Sequence, residues 1–193
     1  MKVVEIVRDA RNLEDNTLKE YIKVLKKLKS AEYTDLRVLL LRMAIDTLFH
    51  KHIMEAIEKA YEEALDLINE FGYTSEDEVP EDAPRKQIES GLVIIPGLPA
   101  LTLPFYGVLG SRIPPEEVLD ELLSTMKDNV VIPPGEEKKI KETLRKFKEM
   151  SEKMKANYEK LETKAVHPII TAVARETRRN EEQHEAVLEK LIS

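Results

Sequence analysis

Every glycine and nine of the ten prolines lie between Gly72 and Gly135, and Pro168 is the one proline outside that window. Gly and Pro are the residues a helix interior tolerates least, so their distribution decides where long helices can run. Residues 1–71 and 136–193 are therefore free to form long helices. Residues 72–135 read as an insertion with a structure of its own. The predicted organisation is a first helical hairpin over 1–71, a Pro/Gly-rich insertion with one short helix over 72–135, and a second hairpin over 136–193. The two hairpins are expected to form one bundle.

Apolar spacing places four helices in these flanks. The first runs from near Val3 to Leu28 on a stripe of Val3, Val7, Ala10, Thr17, Tyr21, Val24 and Leu28. A break is possible at the stretch LEDNTLKE, where Thr17 and Glu20 have the spacing of a capping box. The second spans Thr34 to Phe71, the third Glu136 to about Lys164, and the fourth begins at Pro168, a favoured first-turn residue. The fold class is all-α: a four-helix bundle of two hairpins joined by one long crossover between the second and third helices.

Each of two stripes has a polar interruption. On the second helix the seam reads Leu36, Leu40, Met43, Thr47, His50, Met54, Ile57, with Asp46 beside it. On the fourth it reads Val166, Ile170, Val173, Thr177, Glu181, His184, Leu188, Leu191. Thr47 stands three before His50, as Glu181 stands three before His184. Carboxylates are common here, with 37 Asp and Glu in 193 residues, so a nearby acid alone means little. The seam position is what gives these weight, because burying a carboxylate and an imidazole costs several kcal/mol unless each is paired or bound to metal. A two-metal site in the bundle centre would account for both interruptions together.

The segments IDTLFHKHIMEAI (Ile45 to Ile57) and NEEQHEAVLEKL (Asn180 to Leu191) resemble the second and fourth helices of the ferritin-like, rubrerythrin-related family. That resemblance covers the two hairpins and implies a ferritin-like four-helix bundle, with one carboxylate from the first and third helices and Glu-x-x-His from the second and fourth. It also implies iron or another divalent metal, such as manganese, and redox activity toward oxygen, peroxide or ferrous iron. Glu181 and His184 match the fourth-helix motif, and His50 matches the second-helix histidine. Thr47 stands where a Glu is expected, and Asp46, four before His50, offers a replacement. Glu14 lies on the first seam between Ala10 and Thr17. The third stripe departs from the pattern: it offers Ser151 and Asn157 but no carboxylate, with Glu149 and Glu152 on the far face. The implied metal residues are thus Glu14, Asp46, His50, Glu181 and His184, an incomplete carboxylate/His set.

Charge and cysteine usage narrow the other function classes. The net charge of −7 is spread over interleaved Lys and Glu, and a nucleic-acid face needs a basic patch that this chain does not offer. With no cysteine there is no disulfide, thiolate site or Cys nucleophile. The opening MKVVEIVRDARN has no secretory pattern, so a cytoplasmic location is expected. Abundant Glu and Lys without Cys is also a composition found in heat-adapted proteins. His52 beside Glu55 reads as a surface pair, His167 as a loop residue, and Met43, Met54, Met150 and Met154 as core filling.

Residues Leu92 to Gly110, LVIIPGLPALTLPFYGVLG, carry no charge, yet Pro96, Pro99 and Pro104 make a spanning helix an unsuitable reading. So much apolar surface needs cover: a homo-oligomer with this segment at or beside its interface is expected, the alternative being that the loop and the short helix from Pro115 cap one end of their own bundle. A short helix follows from Pro115, and an acidic linker precedes the segment. Two readings stay open beside the metal centre: a metal-free helical scaffold or partner-binding module acting through residues 92–110, and a peripheral membrane protein inserting that loop.

Overall fold

The computed structural model describes residues 2–71 and 135–193, and all of their regular structure is helical. Four long helices follow in order: α1 (Val3–Leu25), α2 (Thr34–Phe71), α3 (Glu137–Lys164) and α4 (Pro168–Ile192), with a 3-10 turn at Ala31–Tyr33 before α2. At 38 residues α2 is about 57 Å long, at 1.5 Å per residue.

Local chemistry sets the ends. Glu5 accepts a hydrogen bond of 2.7 Å from the backbone N–H of Lys2, closing the first turn of α1. Gly135 leads into α3 at a φ of 98°, which glycine adopts without a Cβ penalty. At the start of α4, Pro168 takes the first turn, and the His167 ring accepts from the backbone N–H of Ile169 at 3.3 Å. The break considered at residues 13–20 does not occur. The Thr17 hydroxyl donates to the carbonyl of Leu13 at 2.9 Å, within the helix, and the seam Ala10, Glu14, Thr17, Tyr21 is buried without interruption.

Two apolar clusters fix the directions of the helices. One gathers the start of α1 (Val3, Ile6, Val7, Ala10), Met54 and Tyr61 of α2, Met154 to Leu161 of α3 and Ile170 and Ala174 of α4. The other gathers Tyr21 and Leu28, the start of α2 (Leu36 to Ala44), Ile140 to Phe147 of α3 and Leu188 and Leu191 of α4. Each helix thus runs from one cluster to the other: α1 and α4 one way, α2 and α3 the other. Phe71 and Gly135 consequently lie at opposite ends, so the chain from 72 to 134 connects the two ends of the assembly. The acidic linker, the uncharged Leu92 to Gly110 stretch with its expected oligomer contact, and the helix expected from Pro115 lie outside the described residues.

α1 packs along both α2 and α3, α3 packs along α4, and α2 touches α4 only sparsely. In the second cluster Tyr21 stacks on Phe147 with ring centroids 4.1 Å apart. Phe147→Leu keeps most of the volume and removes the stacking, and it is expected to cost about 1 kcal/mol. A urea midpoint equal to that of the unsubstituted chain would contradict this. α2 is apolar on a second face too, where Val38, Leu41, Ile45, Leu48 and Phe49 are exposed. No helix among the described residues is long and apolar enough to cross a membrane.

Candidate metal centre

Between the two clusters every helix turns polar on its inward face. On α1 it is Glu14 and Thr17 between Ala10 and Tyr21; on α2, Thr47 and His50 between Ala44 and Met54. On α3 it is Ser151 between Phe147 and Met154, and on α4 Thr177, Glu181 and His184 between Ala174 and Leu188. All are buried, with Glu14, Thr47 and Glu181 at 0% exposure. The inward step of about 100° per residue explains why three- and four-residue spacings bring these groups to one place.

Glu181 is the hub. Its Oε1 lies 3.2 Å from His50 Nδ1 and 3.5 Å from His184 Nδ1, and His50 Nδ1 lies 3.4 Å from Glu14 Oε1. One donor atom from each of Glu14, His50 and Glu181 falls within 4.8 Å of the others. The remaining partners are neutral hydroxyls. Tyr158 donates to Glu14 Oε1 at 2.5 Å, and Ser151 donates to Glu181 Oε2. Outside this shell, His184 Nε2 meets Asp46 Oδ2 at 3.2 Å.

Four atoms are left over: Glu14 Oε2, Glu181 Oε1, His50 Nδ1 and His184 Nδ1 are buried with no hydrogen-bond partner. The imidazole contacts to Glu14 and Glu181 are close, but none has hydrogen-bond geometry. Each buried ionisable side chain of the set thus presents one atom without a hydrogen bond, and Glu181 Oε1, His50 Nδ1 and His184 Nδ1 are held only by ion-pair contacts of 3.2–3.5 Å. Thr47 Oγ1 and Asn157 Oδ1 are unpartnered as well.

The electrostatics tie the four groups together. Burial works against protonating His50, but the Glu14 and Glu181 carboxylates outweigh it and push its pKa up to about 10. Burial opposes His184 in the same way, and Glu181 with Asp46 raises it to about 9. For Glu181 burial acts upward, yet His184 and His50 hold it well below the usual carboxylate range. Glu14 goes the other way, raised chiefly by burial and also by the charge of Glu181. The two carboxylates are driven apart by their surroundings, as happens when like charges share a dry site.

Of the five residues singled out from the sequence, Glu14, His50, Glu181 and His184 come together in the interior. Asp46, with its side chain 44% exposed, meets the outer nitrogen of His184, on the other side of the ring from the Nδ1 that faces Glu181. Glu149 and Glu152 are exposed, in keeping with their far-face spacing. The bond from Tyr158 of α3 to Glu14 is absent from the sequence reading; a buried phenol needs a partner, which is the available signal. Glu58 was also missed. It is buried on the α2 seam between Met54 and Tyr61, and its carboxylate takes Arg8 at 2.7 Å and Arg11, so it pins α1 to α2. His52 pairs with Glu55 on the surface at 2.7 Å.

No protein-family model, curated protein or solved structure matches the chain.

Proposed function

We propose that this chain is a ferritin-like four-helix bundle whose interior holds a divalent metal ion between Glu14, His50, Glu181 and His184. The observation that carries the reading is the set of four unpartnered buried atoms, two carboxylate oxygens and two imidazole nitrogens, one from each side chain. Imidazole and carboxylate donors together suit iron, manganese and zinc. Support for the family comes from the helix directions, in which α2 and α3 run the same way and a long connection joins opposite ends, the layout of ferritin-like folds.

The protein's own groups have distinct parts in such a site. Glu14 and Glu181 would neutralise the ion. Tyr158 and Ser151 fix the orientation of those carboxylates by donating to their other oxygens. With an ion bound, Asp46 would accept from His184 Nε2 and hold the tautomer whose bare Nδ1 faces inward. The apolar clusters above and below exclude water. A bound iron or manganese ion would supply electron transfer toward oxygen or peroxide.

The test is elemental analysis of purified chain alongside the double variant His50→Ala/His184→Ala. Stoichiometric iron, manganese or zinc in the first, and at least a tenfold loss in the second with helicity retained, is the expected result. Equal metal content in the two would sink the reading.

A further inference from the structure

Resting on that reading, we infer that the centre takes one ion per chain, bound by four protein atoms, rather than a pair of ions. The two hairpins contribute matching positions to the site. Glu14 on α1 and Ser151 on α3 each lie beside the polar pair of the next helix, Thr47 with His50 on α2 and Glu181 with His184 on α4. In both pairs the residues are three apart. The matched positions are thus Glu14 with Ser151, Thr47 with Glu181, and His50 with His184. In the first two matches one partner is a carboxylate and the other a hydroxyl.

That substitution halves the negative charge and removes the means of sharing. Two ions held about 3.5–4 Å apart need bridging carboxylates. Here Glu14 and Glu181 supply two negative charges, which balance one divalent ion. A second ion would leave an excess of two positive charges in a buried site, with half-exposed Asp46 held outside it against the outer nitrogen of His184. Each carboxylate also has one oxygen engaged, by Tyr158 or by Ser151, and one unpartnered. Bridging and bidentate modes would need both oxygens. Glu14, His50 and Glu181 offer donor atoms that all lie within 4.8 Å of one another, room for a single ion, and His184 Nδ1 lies 3.5 Å from Glu181 Oε1.

Ser151 is therefore a positioning residue: its hydroxyl keeps Glu181 to a single donor oxygen. Thr47, at the position matching Glu181, offers no charge to a second ion.

The experiment is a titration of chelator-stripped full-length chain with cobalt(II), followed by native mass spectrometry and visible absorption. The expected result is one ion per chain with the intense bands of four-coordinate cobalt. Ser151→Ala should keep one ion but weaken those bands several-fold, as the freed Glu181 oxygen raises the coordination number. Thr47→Glu/Ser151→Glu should raise the stoichiometry to two. Two ions in the unsubstituted chain, or one ion with only weak bands, would overturn this inference and leave the metal reading intact. No ion at all would overturn both. An unchanged spectrum in Ser151→Ala would remove the role given to Ser151, and it decides that point even where the double variant fails to fold.

Discussion

Replacing Glu181 with alanine is expected to abolish metal binding and to destabilise the metal-free chain by about 3–5 kcal/mol, the usual cost of removing one partner from a buried charge cluster. Three groups lose an interaction at once. His50 and His184 lose the carboxylate whose charge favours their protonated forms, and the Ser151 hydroxyl loses its closer acceptor and keeps only the Glu181 backbone carbonyl at 3.3 Å. Glu14 then faces the His50 imidazole alone, with one oxygen already taken by Tyr158. Glu182 is the control one residue away. It is exposed and paired with Arg178 along the helix surface, so Glu182→Ala should change stability by less than about 1 kcal/mol. Denaturant midpoints in chelator compare the two. If Glu181→Ala unfolds at the same denaturant concentration as Glu182→Ala and still binds metal, Glu181 is not the hub of the site.

The helices were legible in the sequence because their main determinant is local. A stretch free of Gly and Pro with apolar residues every three or four positions leaves α2 little choice from Thr34 to Phe71, and the same holds for α4 from Pro168. The inward direction of Glu14, His50, Glu181 and His184 follows from the same periodicity. What spacing within one helix does not contain is the axial register between helices. Whether Ser151 or Asn157 of α3 would meet Glu181, and whether Tyr158 would reach Glu14, depends on how far α3 slides along α1 and α4. That register is decided by packing, such as the Tyr21–Phe147 stack. Register also explains Asp46. Its position beside the α2 seam suggested a replacement for the missing Glu, whereas its carboxylate lies against the outer edge of an imidazole on α4. The doubt about α1 at residues 13–20 arose from a competition that local sequence does not resolve. A Thr with Glu three residues on can cap a helix, and the same hydroxyl can donate back to a carbonyl four residues earlier, as Thr17 does.

Metal and proton compete for the same atoms, so the metal-free and metal-bound chains are expected to respond to pH with opposite sign. In the metal-free chain the folded-state pKa values of His50 and His184 are about 10 and about 9, against an ordinary 6.5. A histidine raised in this way stabilises fully below the unfolded value, where both states are protonated. As pH rises above about 6.5 the unfolded chain gives up its protons while the folded chain keeps them, and the stabilisation drains away until about pH 9–10. Glu181, held low, contributes above the ordinary carboxylate value and is lost toward acid; Glu14, raised by burial, costs stability from that value upward. The metal-free chain should therefore be most stable in mild acid and should melt at progressively lower temperature from about pH 6.5 to about pH 9.5. A divalent ion needs bare imidazole nitrogens, so binding near neutral pH should expel up to two protons, and affinity should climb with pH over the same interval. Thermal melts with chelator and with saturating zinc should diverge as pH rises, and calorimetry in buffers of different ionisation enthalpy should count the released protons. A metal-free melting temperature that climbs between about pH 6.5 and 9.5 would mean the folded imidazoles are already neutral. Binding without proton release would carry the same meaning and would place the ion on groups other than His50 and His184.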